Sequence, residues 1–218
     1  MKRAVLFING SLAVNAHPEK WLLPGDLIFC ADGGANHALS FGLRPHRVIG
    51  DLDSVSQQTL DKLVSDGVPI DRYPAEKDQT DLELALQKVC LEKPDLVLVI
   101  GAFGGRPDHL LANLFIFTRT EFSSFRMILM DEDIQLTFLN SARSLDINGT
   151  QGDVVSLVPL SALSEVRLEG VKWPLRCETL SLGTTRTISN ELQSNRAKLQ
   201  IGSGVVAVMY QGKGPGFL

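Results

Sequence analysis

Short β-rich runs alternate with helical segments along the first 131 residues of this chain, and the helical period then disappears. The β-rich runs occupy residues 4–9, 27–31, 47–50, 70–73, 96–100 and 126–130. The segments with apolar residues at helical spacing occupy residues 34–41, 56–65, 80–91 and 107–118. This alternation predicts an α/β domain with a mostly parallel, Rossmann-like sheet and helices on both faces.

The remainder of the chain carries strand patterns only. They lie at residues 134–139, 143–147, 154–160, 164–169, 180–182 and 198–210, separated by turns that contain Gly, Asn, Ser and Pro. These runs predict a second, all-β domain of sandwich or barrel type. We therefore expect an α/β domain over residues 1–135 and an all-β domain, most simply a sandwich, over residues 136–218.

The bulk properties argue against several classes of protein. The 218 residues carry a formal net charge of −4 and no basic stripe, which disfavours nucleic-acid binding. No segment reaches the roughly 20 apolar residues of a membrane span. Asn9 and Gly10 end the first apolar run too early for a signal peptide. Three scattered cysteines, Cys30, Cys90 and Cys177, indicate reduced core thiols and a cytoplasmic location.

Four polar clusters follow the predicted strands or begin the predicted helices of the α/β half. They are Asp32-Gly33-Gly34, Asp51-Leu52-Asp53, Lys77-Asp78-Gln79-Thr80-Asp81 and Gly104-Gly105-Arg106-Pro107-Asp108-His109. An open α/β sheet gathers its ligand-binding loops at such positions. Mg²⁺ takes oxygen ligands from one or two carboxylates and from substrate phosphates, so these loops predict a site for a magnesium-bound polyphosphate.

The first two clusters each have a simpler explanation beside the functional one. Asp32 precedes two glycines that let backbone N–H groups approach a ligand closely. An aspartate at that position can equally cap a helix. Asp51 and Asp53 are two residues apart and can point toward one ion, although acidic turns are common and mostly solvated.

The third cluster places a cation beside two carboxylates at a helix start. Lys77 and the helix dipole could hold a phosphate. Asp78 or Asp81 could hold a metal. Thr80 is expected to cap the helix in either case, because Glu83 follows it at capping-box spacing.

The fourth cluster is a glycine-rich turn followed by a cation. Such a turn could cradle phosphates while the Arg106 guanidinium binds an oxyanion through two N–H groups. The turn lacks the G-x-G-x-x-G spacing of a dinucleotide site. His109 would on its own be a structural histidine, but beside Asp108 and Arg106 it is a candidate for the same site.

One stretch of the all-β half combines an aromatic ring with neutral polar groups. Trp173 is followed, in a nearby run, by Ser189 and Asn190. A strand tryptophan is more often a core residue than a ligand platform. An aromatic face could nevertheless hold a flat or cationic ring.

Taken in order, the four clusters and the later Gly-Val-Lys-Trp-Pro-Leu and Ile-Ser-Asn-Glu stretches resemble the thiamine pyrophosphokinase (thiamine diphosphokinase) family. The resemblance extends over residues 4–210. It implies an N-terminal α/β domain, a C-terminal β-sandwich and a homodimer. It also implies Mg²⁺-dependent transfer of a diphosphate group from ATP to the hydroxyl of thiamine, with release of AMP.

The resemblance also implies roles for individual residues. The metal ligands would be Asp51, Asp53 and Asp78, with Asp32 and Asp81 close by. Lys77, Arg106, Asp108 and His109 would complete the nucleotide side, and either Asp81 or Asp108 would accept the hydroxyl proton. Trp173, Ser189 and Asn190 would face thiamine, in an active site shared between protomers.

Two other functions stay open at this point. A diphosphokinase acting on another hydroxymethyl heterocycle, such as a pterin alcohol, would have the same acidic site. A non-catalytic or oxidoreductase nucleotide binder would have the same α/β layout, since a fold does not determine a function. The second alternative predicts NAD(H) or nucleotide binding without metal dependence, and the missing glycine fingerprint argues against it.

Overall fold

The structure, a computed structural model, describes residues 1–12, 17–140 and 143–218. It divides into two compact units, Met1–Glu132 and Asp133–Leu218, which we call the N-terminal and C-terminal units. Within the described residues, no helix is both long enough and apolar enough to cross a membrane.

Six strands of the N-terminal unit pair in parallel, in the order β6-β5-β1-β2-β3-β4. They are β1 Arg3–Phe7, β2 Leu27–Ala31, β3 Arg47–Gly50, β4 Ile70–Arg72, β5 Leu96–Ile100 and β6 Arg126–Asp131. Every residue of β5 is buried, as expected for a central parallel strand. The predicted parallel arrangement is confirmed, whereas its closer description as Rossmann-like with helices on both faces stays a prediction.

The four predicted helices of this unit are also present. They are α1 Gly34–Ser40, α2 Gln57–Ser65, α3 Asp81–Leu91 and α4 Pro107–Ile116, and short 3₁₀ turns cover Pro18–Lys20 and Thr120–Phe122. Side-chain caps begin two of them. The Ser56 hydroxyl accepts from the Thr59 N–H of α2, and the Thr80 hydroxyl accepts from the Glu83 N–H of α3, both at 3.2 Å.

The polar clusters fall at the carboxyl ends of these strands. Asp32 directly follows β2, Asp51 follows β3 and Gly101 follows β5. Strands β5, β1, β2 and β3 are consecutive in the sheet and parallel, so their carboxyl ends meet at one edge. Clusters that are far apart in the sequence therefore lie on neighbouring loops.

The C-terminal unit is built of antiparallel strands. They are β7 Ile134–Asn140, β8 Ser144–Asn148, β9 Val154–Pro159, β10 Leu163–Glu169, β11 Leu175–Leu180, β12 Asn190–Glu191, β13 Arg196–Gln200 and β14 Val205–Gln211. They pair in two sets, β12-β9-β14-β7 and β11-β10-β13-β8. The all-β character is confirmed, and the packing of the sets as a sandwich stays a prediction.

Three expectations about this half were wrong in detail. The strand expected at 198–210 is two strands, because Gly204 turns the chain between them at φ +96°. The strand expected at 180–182 is instead β11, which begins at Leu175 and ends at Leu180. Its position could not be read from the sequence, because its residues do not alternate between apolar and polar and its pairing with β10 is irregular. Cys177 is exposed in that strand, so it is not a core thiol, whereas Cys30 is buried.

Candidate functional site

A cavity of about 490 Å³ lies in the N-terminal unit at the carboxyl ends of the strands. Its walls combine backbone of the loops after β1 and β5 with carboxylates and the first turns of α4. The charged and ionisable side chains along the walls are those of Asp32, Asp51, Asp53, Asp81, Arg106 and His109. Residues from all four predicted polar clusters therefore line one concavity.

Three carboxylates converge on one point of this cavity. Ligand oxygens of Asp32, Asp51 and Asp53 all lie within 4.8 Å of one another. Asp32 is only 7% exposed, and its Oδ1 atom has no hydrogen-bond partner among the described residues. A buried carboxylate oxygen without a partner is costly unless something binds it. Oxygen donors so arranged fit a hard divalent cation such as Mg²⁺.

Backbone geometry holds these carboxylates in place. The Asp32 N–H donates to the Ile49 carbonyl of β3 at 2.8 Å, and Asp32 adopts a left-handed conformation with φ 46°. Gly50, the last residue of β3, lies beside Asp32 and has φ +149°. A side chain at Gly50 would come within 3.1 Å of both Asp32 Cβ and Asp81 Oδ1. Glycine at this position therefore lets the ends of β2 and β3 bring their acids together.

Two more glycines allow a close approach of backbone where the loops after β1 and β5 line the cavity. The Gly10 N–H donates to the Gly101 carbonyl at 2.9 Å, joining the loops after β1 and β5. A Cβ atom on Gly10 would collide with the Gly101 carbonyl, and one on Gly101 would collide with the Ile8 carbonyl. The close approach of these two loops requires glycine at both positions.

We call the side of the cavity formed by Asp32, Asp51, Asp53 and Asp81 the acidic wall, and Lys77 is the cation beside it. Its ammonium lies 2.9 Å from Asp51 Oδ2 and 3.2 Å from Asp81 Oδ1, and it also donates to the Pro74 carbonyl at 3.0 Å. The hydrogen bond from Lys77 holds the pKa of Asp51 below its usual value. Burial raises the pKa of Asp81 despite the same partner. The two acids therefore differ in their readiness to carry a proton.

Asp78 does not join this group. It is exposed, it does not line the cavity, and the set of converging carboxylates contains Asp32 in its place. Helix α3 begins at Asp81, so Asp81 faces the cavity from the first helical turn while Asp78 precedes the Thr80 cap. The predicted metal role of Asp78 has no geometric support here and stays a prediction.

The Arg106 loop presents a second charged pair at the cavity. The guanidinium binds Asp108 through two hydrogen bonds, of 3.2 Å to Oδ1 and 2.6 Å to Oδ2, and both side chains are exposed. This bond holds the pKa of Asp108 below its usual value. His109 lines the same cavity, and so does Asn113 one helical turn later. Asn113 was missed from sequence, although its spacing of four from His109 places both on one helix face.

The three residues expected on the acceptor side lie near one another in the C-terminal unit. Trp173 is 54% exposed, so it is not a core tryptophan. The Asn190 amide bonds both backbone polar groups of Trp173, at 3.1 Å from N and 2.8 Å from O. Ser189 donates its N–H to Ser156 Oγ at 2.9 Å, and its backbone is left-handed with φ 58°. The polar pair is thus tied into the fold beside an exposed aromatic ring.

Sequence comparisons identify both halves of the chain. The family model described as "Thiamin pyrophosphokinase, catalytic domain" matches residues 20–129. The one described as "Thiamin pyrophosphokinase, vitamin B1 binding domain" matches residues 143–206. The thiamine pyrophosphokinase of Bacillus subtilis is 31% identical over 180 residues, which cover 82% of this chain and 84% of that protein.

Solved structures show the same relationship. The crystal structure of thiamine pyrophosphokinase from Bacillus subtilis matches with a TM-score of 0.88 and 25% identity, over 97% of this chain and all of that one. That of thiamin pyrophosphokinase from Geobacillus thermodenitrificans matches with a TM-score of 0.82 and 26% identity, over 98% of each chain. With its catalytic-domain and vitamin-binding-domain sequences both matched, this chain belongs to the thiamine pyrophosphokinase family.

Proposed function

We infer that this chain transfers a diphosphate group from ATP to the hydroxyl group of thiamine, giving thiamine diphosphate and AMP. The observation that carries this function is the convergence of Asp32, Asp51 and Asp53 in a chain that the family models match along both halves. The thiamine oxygen attacks the β-phosphorus in line. The bond from that phosphorus to the α–β bridging oxygen breaks, and AMP leaves with the oxygen and its electron pair.

The acidic wall is the proposed magnesium site. The partnerless oxygen of buried Asp32 and the neighbouring oxygens of Asp51 and Asp53 are the donors that Mg²⁺ prefers. When bound, Mg²⁺ would neutralise phosphate charge and orient the polyphosphate. This set retains Asp51 and Asp53 from the sequence-based prediction and contains Asp32 where that prediction has Asp78.

The proposed ligands of the phosphate oxygens are the side chains of Arg106 and His109, which line the cavity, and of Lys77 beside it. Arg106 lies at the start of α4 with an exposed guanidinium, and His109 lies in the first turn. Lys77 is held between two carboxylates and can share its charge with a phosphate that enters beside them. These groups would stabilise charge on the transferred and leaving oxygens and align the nucleotide.

Asp81 is the better of the two candidate proton acceptors. Burial raises its pKa, so it binds a proton more readily than an ordinary aspartate, and it lines the cavity. Asp108 is exposed and bonded to Arg106, which lowers its pKa. We therefore assign the hydroxyl proton to Asp81.

The acceptor side is proposed to be the exposed indole of Trp173. An aromatic face attracts a cationic ring such as the thiazolium of thiamine by about 0.5–2 kcal/mol.

We also propose a cytoplasmic homodimer in which one protomer's acidic cavity and the partner's Trp173 region form a shared site. Helix α4 supports association, because Leu111 and Phe115 are 58% and 56% exposed and none of its ten residues is buried.

The test is to incubate purified protein with ATP, Mg²⁺ and thiamine and to separate the products by chromatography. The proposal expects AMP and thiamine diphosphate in equal amounts, and neither product when the metal is chelated. A pterin alcohol supplied in competition should stay unmodified. Preferential diphosphorylation of the pterin alcohol would assign the acidic site to another acceptor.

A further inference from the structure

The side chain of Asn190 forms hydrogen bonds with the backbone of Trp173, a residue distant in sequence, and with that of its neighbour Glu191. It is 5% exposed, its Nδ2 donates to the Trp173 carbonyl at 2.8 Å, and its Oδ1 accepts from the Trp173 N–H at 3.1 Å. The same Oδ1 also accepts from the Glu191 N–H at 2.9 Å. Both acceptor positions of this oxygen are therefore filled within the protein.

A second set of contacts continues along the same segment. The Lys172 N–H donates to the Glu191 carbonyl at 2.9 Å, and its ammonium lies 3.1 Å from Glu191 Oε2. That ammonium also lies over the Trp173 indole, 4.7 Å from the ring centroid. Next to this pair, an isolated antiparallel bridge joins Val171 to Leu192.

These contacts fix the backbone of Trp173 and place a cation against its ring, although the ring is not held by burial. More than half of the Trp173 surface is exposed, yet both of its backbone polar groups are bonded and a cation covers one ring face. A flat ligand can then stack only on the opposite face. Holding an exposed ring in one orientation lowers the ordering cost of binding to it.

We propose that Asn190 and the Lys172–Glu191 pair are positioning residues that hold the Trp173 indole as a one-faced platform for the acceptor ring. Asn190 then contributes to acceptor binding through Trp173 and does not itself contact the acceptor. This refines the expectation that Asn190 faces thiamine, and it rests on the proposed function.

The positioning can be measured without substrate. The chain has two tryptophans, so Trp21→Phe leaves Trp173 as the single tryptophan, whose fluorescence can be excited selectively. In that background, Asn190→Asp loses the bond to the Trp173 carbonyl, and Lys172→Met removes the cation from one ring face and the ion pair with Glu191 while leaving the backbone bonds in place. Both should raise acrylamide quenching and speed the anisotropy decay of Trp173.

The exposed Lys198→Met variant is the matched control and should change neither. Unchanged quenching in Lys172→Met and Asn190→Asp would overturn the proposal.

Kinetics then distinguish positioning from direct contact. Asn190→Asp should raise the KM for thiamine about tenfold, the effect of one lost buried hydrogen bond, with little change in kcat. In a Trp173→Ala background the same change should have no further effect on KM, because the ring that it positions is gone. An undiminished effect there would mean that Asn190 contacts the acceptor directly. Failure of the proposed function is a separate result, in which wild-type protein forms no thiamine diphosphate.

Discussion

The Lys77 ammonium lies 2.9 Å from Asp51 Oδ2 at the edge of the acidic wall, and the two side chains are largely buried. The same ammonium is 3.2 Å from Asp81. An internal cation thus balances part of the negative charge that Asp32, Asp51 and Asp53 bring together. The acids can remain close to one another before any metal or nucleotide arrives.

Removing this cation should make the stability of the protein depend on metal. Lys77→Met leaves the carboxylates of Asp51 and Asp81 without their cation, and we expect a loss of about 1–3 kcal/mol in the free energy of unfolding, the range for a partly buried acceptor that loses its donor. Added Mg²⁺ binds the folded acids in both proteins, and it should restore more stability in the variant because the folded site there lacks the competing positive charge of Lys77. Thermal melts with and without Mg²⁺ measure this. Lys62→Met, which removes a surface partner of Asp66, is the control and should respond to Mg²⁺ as wild type does.

Two aspartates give opposite expectations for metal binding. Asp32→Asn removes a buried donor of the converging set, whereas Asp78→Asn changes an exposed residue outside the cavity. We expect Asp32→Asn to weaken Mn²⁺ binding, measured by electron paramagnetic resonance, by roughly tenfold or more. Asp78→Asn should bind Mn²⁺ as wild type does. The reverse order of effects would restore Asp78 as the metal ligand.

The indole of Trp173 should contribute to the binding of thiamine and not to the binding of ATP. Trp173→Ala is expected to raise the KM for thiamine by roughly 2- to 30-fold, which corresponds to about 0.5–2 kcal/mol of lost cation–π attraction. The KM for ATP should stay unchanged. Leu182→Ala, at another exposed apolar side chain of the same unit, serves as control. An unchanged KM for thiamine would remove Trp173 from the acceptor site.

The pairing of Asp51 with Lys77 predicts the sign of one pH effect. The hydrogen bond from Lys77 lowers the pKa of folded Asp51 below its ordinary value of 3.8, which the unfolded chain retains. The pair therefore stabilises the protein fully at pH values well above 3.8 and loses that contribution as the pH falls through the folded pKa. In urea unfolding between neutral and acidic pH, the free energy of unfolding should fall less steeply with decreasing pH in Asp51→Asn than in wild type, because the other carboxyls with lowered pKa values remain in both proteins. Equal slopes would contradict the pairing.

The fold of the N-terminal unit could be predicted because its signals are local. The apolar period and the Thr80 cap fix where α3 begins, and the β-rich runs fix the strands. The choice between Asp78 and Asp81 could not be made in the same way. The two acids are three residues apart, and only the position of the helix start against the end of β3 decides which one faces the cavity.

The C-terminal unit shows where sequence patterns are insufficient. Ser189 and Asn190 could be recognised as polar residues near an aromatic one, but the bonds from Asn190 to Trp173 join residues 17 positions apart. Pairing of that kind is set by the fold as a whole, not by neighbouring residues. The two-residue strand β12 is likewise too short to show any period.

The central claim is that two phosphates move together from ATP to the acceptor. Its most direct measurement uses ATP labelled separately at the α-, β- and γ-phosphorus, with thiamine and Mg²⁺. The account predicts that the β- and γ-labels enter thiamine diphosphate and that the α-label remains in AMP. Transfer of the γ-label alone, with ADP as the second product, would contradict it.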